Sequence, residues 1–215
     1  MHRSNNGFRD EQFNSFQTNN IPAFAQAPAI MYFVPNFSMI IQFTGLSGAG
    51  KSSLAQQLRQ IAQPDHEVVI VDGDAYRQTL CRDLGFSKED RMENIRRLGA
   101  EASRLNATGK IIIIAAINPF DSVRKELEEK YDALTVWIRC DIPTLVERDT
   151  KGLYRRALLP EDHPEKLHNL TGINDPYESP ESAHLIVDTH LQSLEESAQL
   201  LYQFLLDKRQ ASSAS

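Results

Sequence analysis

Residues 39–58 read MIIQFTGLSGAGKSSLAQQL, and this stretch decides the fold. Met39 to Thr44 has the apolar run of a buried strand, residues 51–62 carry a helical pattern, and a glycine-rich turn joins the two. That turn, Gly45-Leu46-Ser47-Gly48-Ala49-Gly50-Lys51-Ser52, fits the Gly-x4-Gly-Lys-Ser/Thr pattern of a phosphate-binding loop in the strand-to-helix setting the pattern requires. The residue types follow from the chemistry. Glycines let backbone N–H groups converge on phosphate oxygens, Lys51 neutralises the outer phosphates, and Ser52 offers a magnesium ligand. The helix N-terminus adds its positive end.

Working outward, strand-length apolar runs recur at 67–72, 110–116, 133–139 and 184–188, separated by helical patterns near 88–108, 122–130, 142–149 and 191–208. Continuously apolar strands alternating with helices predict an α/β fold, a P-loop NTPase-type three-layer sandwich with a five-stranded parallel sheet. Residues 1–38 are rich in Asn and Gln, lack any period, and read as a low-complexity, disordered N-terminal extension. The phosphate-loop domain is expected over 39–210. Its polar, proline-rich stretch near 150–183 is expected to be a lid.

The 215 residues carry 29 acids against 23 bases, a net charge of -6, which argues against a general nucleic-acid binder. An anionic ligand therefore needs a local basic site. Cys81 and Cys140 fit neither a disulfide framework nor a zinc motif, so a reducing, cytoplasmic setting is expected. The apolar stretch 21–43 is interrupted by Pro22, Pro28 and Pro35, so no membrane span or signal peptide is expected.

The second strand leads into Asp72-Gly73-Asp74 and then Arg77, at the sheet edge where the phosphate loop lies. Two carboxylates there can serve magnesium or an attacking hydroxyl; the plainer reading is a turn whose second aspartate caps a helix. Ser87 is the expected N-cap of the next helix, with Asp90 three residues on, and Ile95, Leu98, Ala102 and Leu105 should face the core. Arg91 and Asn94, three apart, share a face and could grip a ligand. Alternatively, Arg91, Arg96 and Arg97 form a solvated face paired with Glu89, Asp90 and Glu93. The chain has no Asn-Lys-x-Asp base-reading motif, which favours a small-molecule kinase over a GTPase.

Five blocks occur in order: the loop at 45–52, Asp72-Gly-Asp-x-x-Arg77, the run Asp83 to Arg97, Arg148-Asp-Thr-Lys-Gly-Leu-Tyr154, and Thr171-Gly-Ile-Asn-Asp-Pro-Tyr-Glu178. Together they resemble the adenylylsulfate kinase family over about residues 39–190. The resemblance implies transfer of the γ-phosphate of MgATP to the ribose 3′-hydroxyl of adenosine 5′-phosphosulfate. It further implies that residues 45–52 hold ATP, that Ser52 and Asp74 with Asp72 serve Mg2+, and that Asp74 also serves the attacking hydroxyl. By the same resemblance Arg77, Arg91 and Asn94 hold the phosphosulfate, Phe86 lines the adenine pocket, and Lys151 acts from the lid with Lys51 and Asp74 in catalysis. A homodimer and a link to ATP sulfurylase are also implied.

The chain departs from the family in the length of two segments, longer after Tyr154, with Pro160 and Pro164 inside it, and shorter after Phe120, and in three residues. Ile117-Asn118-Pro119-Phe120 stands where the family carries a phosphorylatable serine, which excludes a phosphoenzyme at Asn118, although the Ile117 backbone can still contact substrate. Leu170 replaces a nucleotide-stacking aromatic, and Asn174 replaces a carboxylate. These changes leave open a kinase retuned to another nucleotide-like acceptor, or a weakly active nucleotide-binding subunit.

Overall fold

The computed structural model describes residues 37–63 and 65–213, so nearly all of the expected extension, residues 1–36, lies outside the described residues. Five strands form one parallel sheet: β1 (Met39–Thr44), β2 (Val68–Asp72), β3 (Ile111–Ala115), β4 (Leu134–Arg139) and β5 (Leu185–Asp188), in the order β2-β3-β1-β4-β5. Between and after them run α1 (Lys51–Ala62), α2 (Gly73–Tyr76), α3 (Lys88–Asn106), α4 (Asp121–Tyr131), α5 (Ile142–Arg148), α6 (Leu153–Ala157) and α7 (Leu194–Ser213). The five strands match the expected ones to within a residue at each end. The short helices α2 and α6 were not expected, because four or five residues are too few to show a helical period.

Strand periodicity explains the layers. Ile111 and Ile113 of β3 turn to one face with Ile41 and Phe43, where Leu54 and Leu58 of α1 and Leu201 and Leu205 of α7 cover them. Ile112 and Ile114 turn to the other face with Ile40, against Ile95 and Leu98 of α3 and Val123 and Leu127 of α4. All four β3 isoleucines are fully buried, and each contributes about 1.5–3 kcal/mol by the transfer of its side chain out of water. Ile95, Leu98 and Ala102 face the core as expected, and Leu105 packs partly buried at its margin.

One polar cluster interrupts this core. Gln42 of β1 donates to the Arg124 carbonyl and to the Thr135 hydroxyl, both at 2.9 Å, and accepts from the Asn118 amide at 2.9 Å. The fully buried Arg124 guanidinium donates to the Asn118 and Glu178 carbonyls and pairs with Asp121 at 3.0 Å. Most of the cluster's polar atoms are paired, with Arg124 Nε and Asn118 Oδ1 left without a partner among the described residues, and the bonds pin the β3–α4 loop beneath the sheet edge.

β1 lies between β3 and β4, so the strand order reverses beside it and a crevice opens at its C-terminal end. The ends of β2 and β3 converge on the same edge. Among the described residues no helix is long and apolar enough to cross a membrane.

Candidate active site

The phosphate loop leaves β1 through Gly45, Gly48 and Gly50, whose φ angles of 154°, 78° and 94° lie where L side chains are strained. Gly50 caps α1 without any side-chain hydrogen bond, so the helix presents its N-terminus open toward the crevice. Lys51 Nζ folds under the loop and donates to the carbonyls of Gly45 (2.9 Å) and Leu46 (2.7 Å). Burial lowers its pKa from the ordinary lysine value to about 8; Asp74 opposes this, Lys151 adds to it, and Asp72 opposes it. A half-desolvated cation among backbone carbonyls is a site waiting for anionic oxygens.

The two carboxylates after β2 divide the work differently from the sequence expectation. Asp72 Oδ1, not Asp74, caps α2 by accepting from the N–H groups of Asp74 (2.9 Å) and Ala75 (3.3 Å). Its Oδ2 accepts from the Ser52 hydroxyl at 2.7 Å, so the structure brings Ser52 to Asp72 rather than to Asp74. Asp74 instead pairs with Lys151 Nζ at 2.6 Å, across 77 residues of sequence. No cluster of three or more His, Cys, Asp or Glu able to hold a metal occurs among the described residues. Asp72 and Ser52 still suit Mg2+, which takes one or two protein ligands and completes its shell with water and substrate phosphates.

A second, cationic subsite flanks the carboxylates. The ring of Phe86, 56% exposed, has the guanidinium groups of Arg77 (4.6 Å from the ring centroid) and Arg91 (5.5 Å) close to it. Burial, and after it the proximity of Arg91, push the Arg77 guanidinium below its ordinary pKa. Asn94 is 4% exposed and its Oδ1 has no hydrogen-bond partner among the described residues. An orphaned acceptor one helical turn from Arg91, with a half-exposed aromatic ring close to both arginines, suits an anionic, hydroxyl-bearing ring compound.

Arg91 is not a solvated surface residue, which overturns the plainer alternative for it. That alternative holds in modified form for its neighbours: Arg96 pairs with Glu126 of α4, and Arg97 with Asp83 and Glu93.

The three substituted residues have structural contacts of their own. Asn118 adopts φ 45°, a left-handed conformation asparagine tolerates, and turns its amide inward to Gln42. Leu170 is 5% exposed and belongs to the hydrophobic core. Asn174 closes its own loop, accepting from Leu170 N–H (2.8 Å) and donating to the Leu167 carbonyl (2.6 Å); a carboxylate could not make the second bond. The Ile117 carbonyl accepts from Gly45 N–H at 3.1 Å, so this backbone buttresses the phosphate loop.

Two supports escaped the reading of the sequence. The buried Tyr154 hydroxyl donates to the Ser47 carbonyl at 2.8 Å, and the Thr189 hydroxyl donates to the Ala49 carbonyl at 2.9 Å. Tyr154 ends the block Arg148–Tyr154, but nothing in its spacing says that it reaches back 107 residues to the loop.

The family model described as Adenylylsulphate kinase matches residues 37–188. An adenylyl-sulfate kinase of Acaryochloris marina is 41% identical over 177 residues, covering 80% of this chain and 84% of that protein. A probable bifunctional SAT/APS kinase of Sorangium cellulosum is 45% identical over 74% of this chain, which spans only 27% of that protein. Among solved structures, the Mycobacterium tuberculosis APS kinase in complex with AMPPNP and APS superposes with a TM-score of 0.72 at 33% identity, over 80% of this chain and 99% of that one.

Proposed function

The chain belongs to the adenylylsulphate kinase family, and from that premise we propose how its residues carry out the ATP-dependent phosphorylation of adenosine 5′-phosphosulfate to 3′-phosphoadenosine 5′-phosphosulfate. The observation that carries the assignment is the meeting, at one sheet edge, of the phosphate loop, the Asp74–Lys151 pair and the Arg77–Phe86–Arg91 cluster. The loop N–H groups and Lys51 hold the ATP phosphates. Ser52 and Asp72 would hold Mg2+, whose charge offsets that of the triphosphate. Arg77 and Arg91 attract the phosphosulfate, Phe86 offers its face to the adenine, and the Asn94 carbonyl oxygen accepts from a ribose hydroxyl.

Asp74 takes the proton of the attacking 3′-hydroxyl, and Lys151 holds that carboxylate in place and adds positive charge where the phosphoryl group passes. Phosphoryl transfer needs positioning and charge more than covalent chemistry, so no phosphoenzyme at Asn118 is required. Asn118, Leu170 and Asn174 have places in the fold, and Lys51, Ser52, Asp74, Arg77, Arg91, Asn94 and Lys151 are all retained, which supports the family's own acceptor over a retuned one. Action in the cytoplasm, as a homodimer, beside an enzyme that forms adenosine 5′-phosphosulfate, completes the proposal; the bifunctional Sorangium relative supports the last of these.

The deciding experiment is ADP release from MgATP with and without micromolar adenosine 5′-phosphosulfate, with the product identified by mass and its phosphorylated position by NMR. Acceptor-dependent ADP and a 3′-phosphorylated product are expected. ATP binding without any such product would move the assignment to another acceptor.

A pH dependence follows from Lys51. Triphosphate oxygens return its pKa toward the ordinary lysine range, so nucleotide binding takes up a proton and weakens as pH rises through about 8. Calorimetry at pH 8 in buffers of different ionisation enthalpy should show an uptake of about half a proton, and Kd should rise by up to about tenfold between pH 7 and 9. Binding without proton exchange would remove Lys51 from that role.

A further inference from the structure

Arg91 is nearly saturated by the protein itself. Its Nε donates to the Phe86 carbonyl (2.9 Å), Nη1 to the Thr171 hydroxyl (2.9 Å), and Nη2 to the Asn169 carbonyl (2.8 Å) and to Asp175 Oδ2 (2.7 Å). A guanidinium has five N–H donors, so one Nη1 hydrogen remains for a ligand. The side chain is only 9% exposed, and Asp175 beside it 28%. The Arg77 guanidinium, by contrast, makes one hydrogen bond among the described residues, to the Gly85 carbonyl at 2.9 Å. The two arginines that the family resemblance assigns to the phosphosulfate are therefore unequal.

Three of the four partners of Arg91 belong to one segment, residues 169–178, and that segment is tied down at two further places. A Cβ placed on Gly172, which has φ 88°, would lie 2.5 Å from the side chain of Leu46 in the phosphate loop, so the strap rests directly on that loop. Farther along, the hydroxyls of Tyr177 and Thr44 lie 2.9 Å apart. Glu178 donates its N–H to the Pro119 carbonyl and accepts from Asp121 N–H at 2.7 Å. One strap thus spans the acceptor arginine, the ATP loop and the loop after β3.

We propose that Asp175 is a positioning residue for acceptor recognition: by pairing with Arg91 it holds strap 169–178 across the crevice and aims the single free Arg91 N–H at the acceptor's anionic group. This deepens the functional reading above and rests on it for the identity of the acceptor. Asp175 touches no reacting atom; it fixes the direction of a donor and the seat of the strap on Leu46. A carboxylate suits this role because only a charge holds Nη2 against the competing pull of an incoming dianion. The opposite arrangement, a latch that the acceptor must displace, predicts the opposite sign when the charge is removed.

The test is Asp175→Asn in the full chain, with Asp175→Glu as the conservative variant and Thr171→Val as a second route to the same disturbance. Asp175→Asn is expected to raise KM for adenosine 5′-phosphosulfate by roughly tenfold and KM for ATP by about twofold, with kcat changed less than about threefold. Asp175→Glu should restore most of the acceptor KM, and Thr171→Val should move it the same way by a smaller factor. An acceptor KM that is unchanged or lowered in Asp175→Asn overturns the proposal, as does an equal loss in Asp175→Glu. Independently of any acceptor, trypsin should cut at Lys166, three residues before the strap, several-fold faster in Asp175→Asn than in wild type; equal rates would show that Asp175 does not hold the strap. A wild-type protein that ignores adenosine 5′-phosphosulfate defeats the functional reading, and the tryptic comparison then still decides the fate of the strap.

Discussion

Lys51→Met is expected to lower kcat/KM by about 10^3-fold or more, while the nucleotide-free protein melts no lower than wild type at pH 7. The loss follows from the chemistry: charge spreads over the transferred phosphoryl group, and a donor removed from such a site costs a factor of about 10^2 to 10^3, more where charge itself is lost. The unchanged melting follows from the environment of Lys51. Burial drops its pKa to about 8, so below that pH the folded protein carries a charge that the unfolded chain solvates better. In linkage terms the unfolded state binds this proton more tightly, and stability rises as pH climbs from about 8 toward the ordinary lysine range. Methionine keeps the aliphatic stem and removes the penalty. Steady-state kinetics and a thermal melt check both halves; an active variant would refute the role, and a large fall in melting temperature would show that Lys51 braces the loop rather than serving the ligand.

Gly45→Ala should unfold the protein's binding edge as well as inactivate it. A Cβ on Gly45 would lie 2.3 Å from the carbonyl oxygen of Ile138 in β4, a separation that real Cβ atoms do not show, and φ 154° adds strain of its own. Neither neighbour is a flexible side chain. Thr44 pairs with Trp137 at the end of the β1–β4 ladder, and Gly45 N–H is bound to the Ile117 carbonyl, so the strand ends must part or the loop must rotate. Overpacking and backbone strain cost about 1–3 kcal/mol each, together on the order of 3 kcal/mol, or roughly 10 °C of melting temperature for a domain of this size. Nucleotide binding should fall with it, because the first residue of the loop sets the direction of the rest. A variant with wild-type melting and wild-type ATP affinity by calorimetry would show that the close approach is not maintained in solution.

The arrangement of the site was only partly legible in the residues. Phosphate-loop chemistry is local, because eight consecutive residues carry both the turn and its donors, and Gly45 to Ser52 could be read directly. Ser87 was legible for the same reason, and its side chain does accept from Asp90 N–H at 3.1 Å. Asp72 and Asp74 were visible as a pair but not as a division of labour. Which one meets Ser52 depends on α2, a four-residue helix that Asp72 itself caps and that turns Asp74 away toward Lys151. Leu170 and Asn174 read as losses from a ligand pocket, yet one fills the core and the other closes a turn.

What the sequence by itself determined is the architecture and the chemistry class. Five apolar runs alternating with helical patterns leave little choice but a covered parallel sheet, and the glycine-rich turn after the first run marks where phosphate binds. Both properties depend on neighbours in the chain, through periods of 2 and 3.6 residues and through backbone angles open to glycine. Only the tertiary structure decided which cations are free for substrate and which are already engaged. Arg77 and Arg91 look alike in sequence; Arg91 differs because residues 78 to 84 positions away fold back on it. The pairings of Lys151 with Asp74, Tyr154 with Ser47 and Asn118 with Gln42 likewise span 76 to 107 residues. Charge and hydrogen bonding act over a few ångströms of space whatever the separation along the chain, so a period or a motif cannot disclose them.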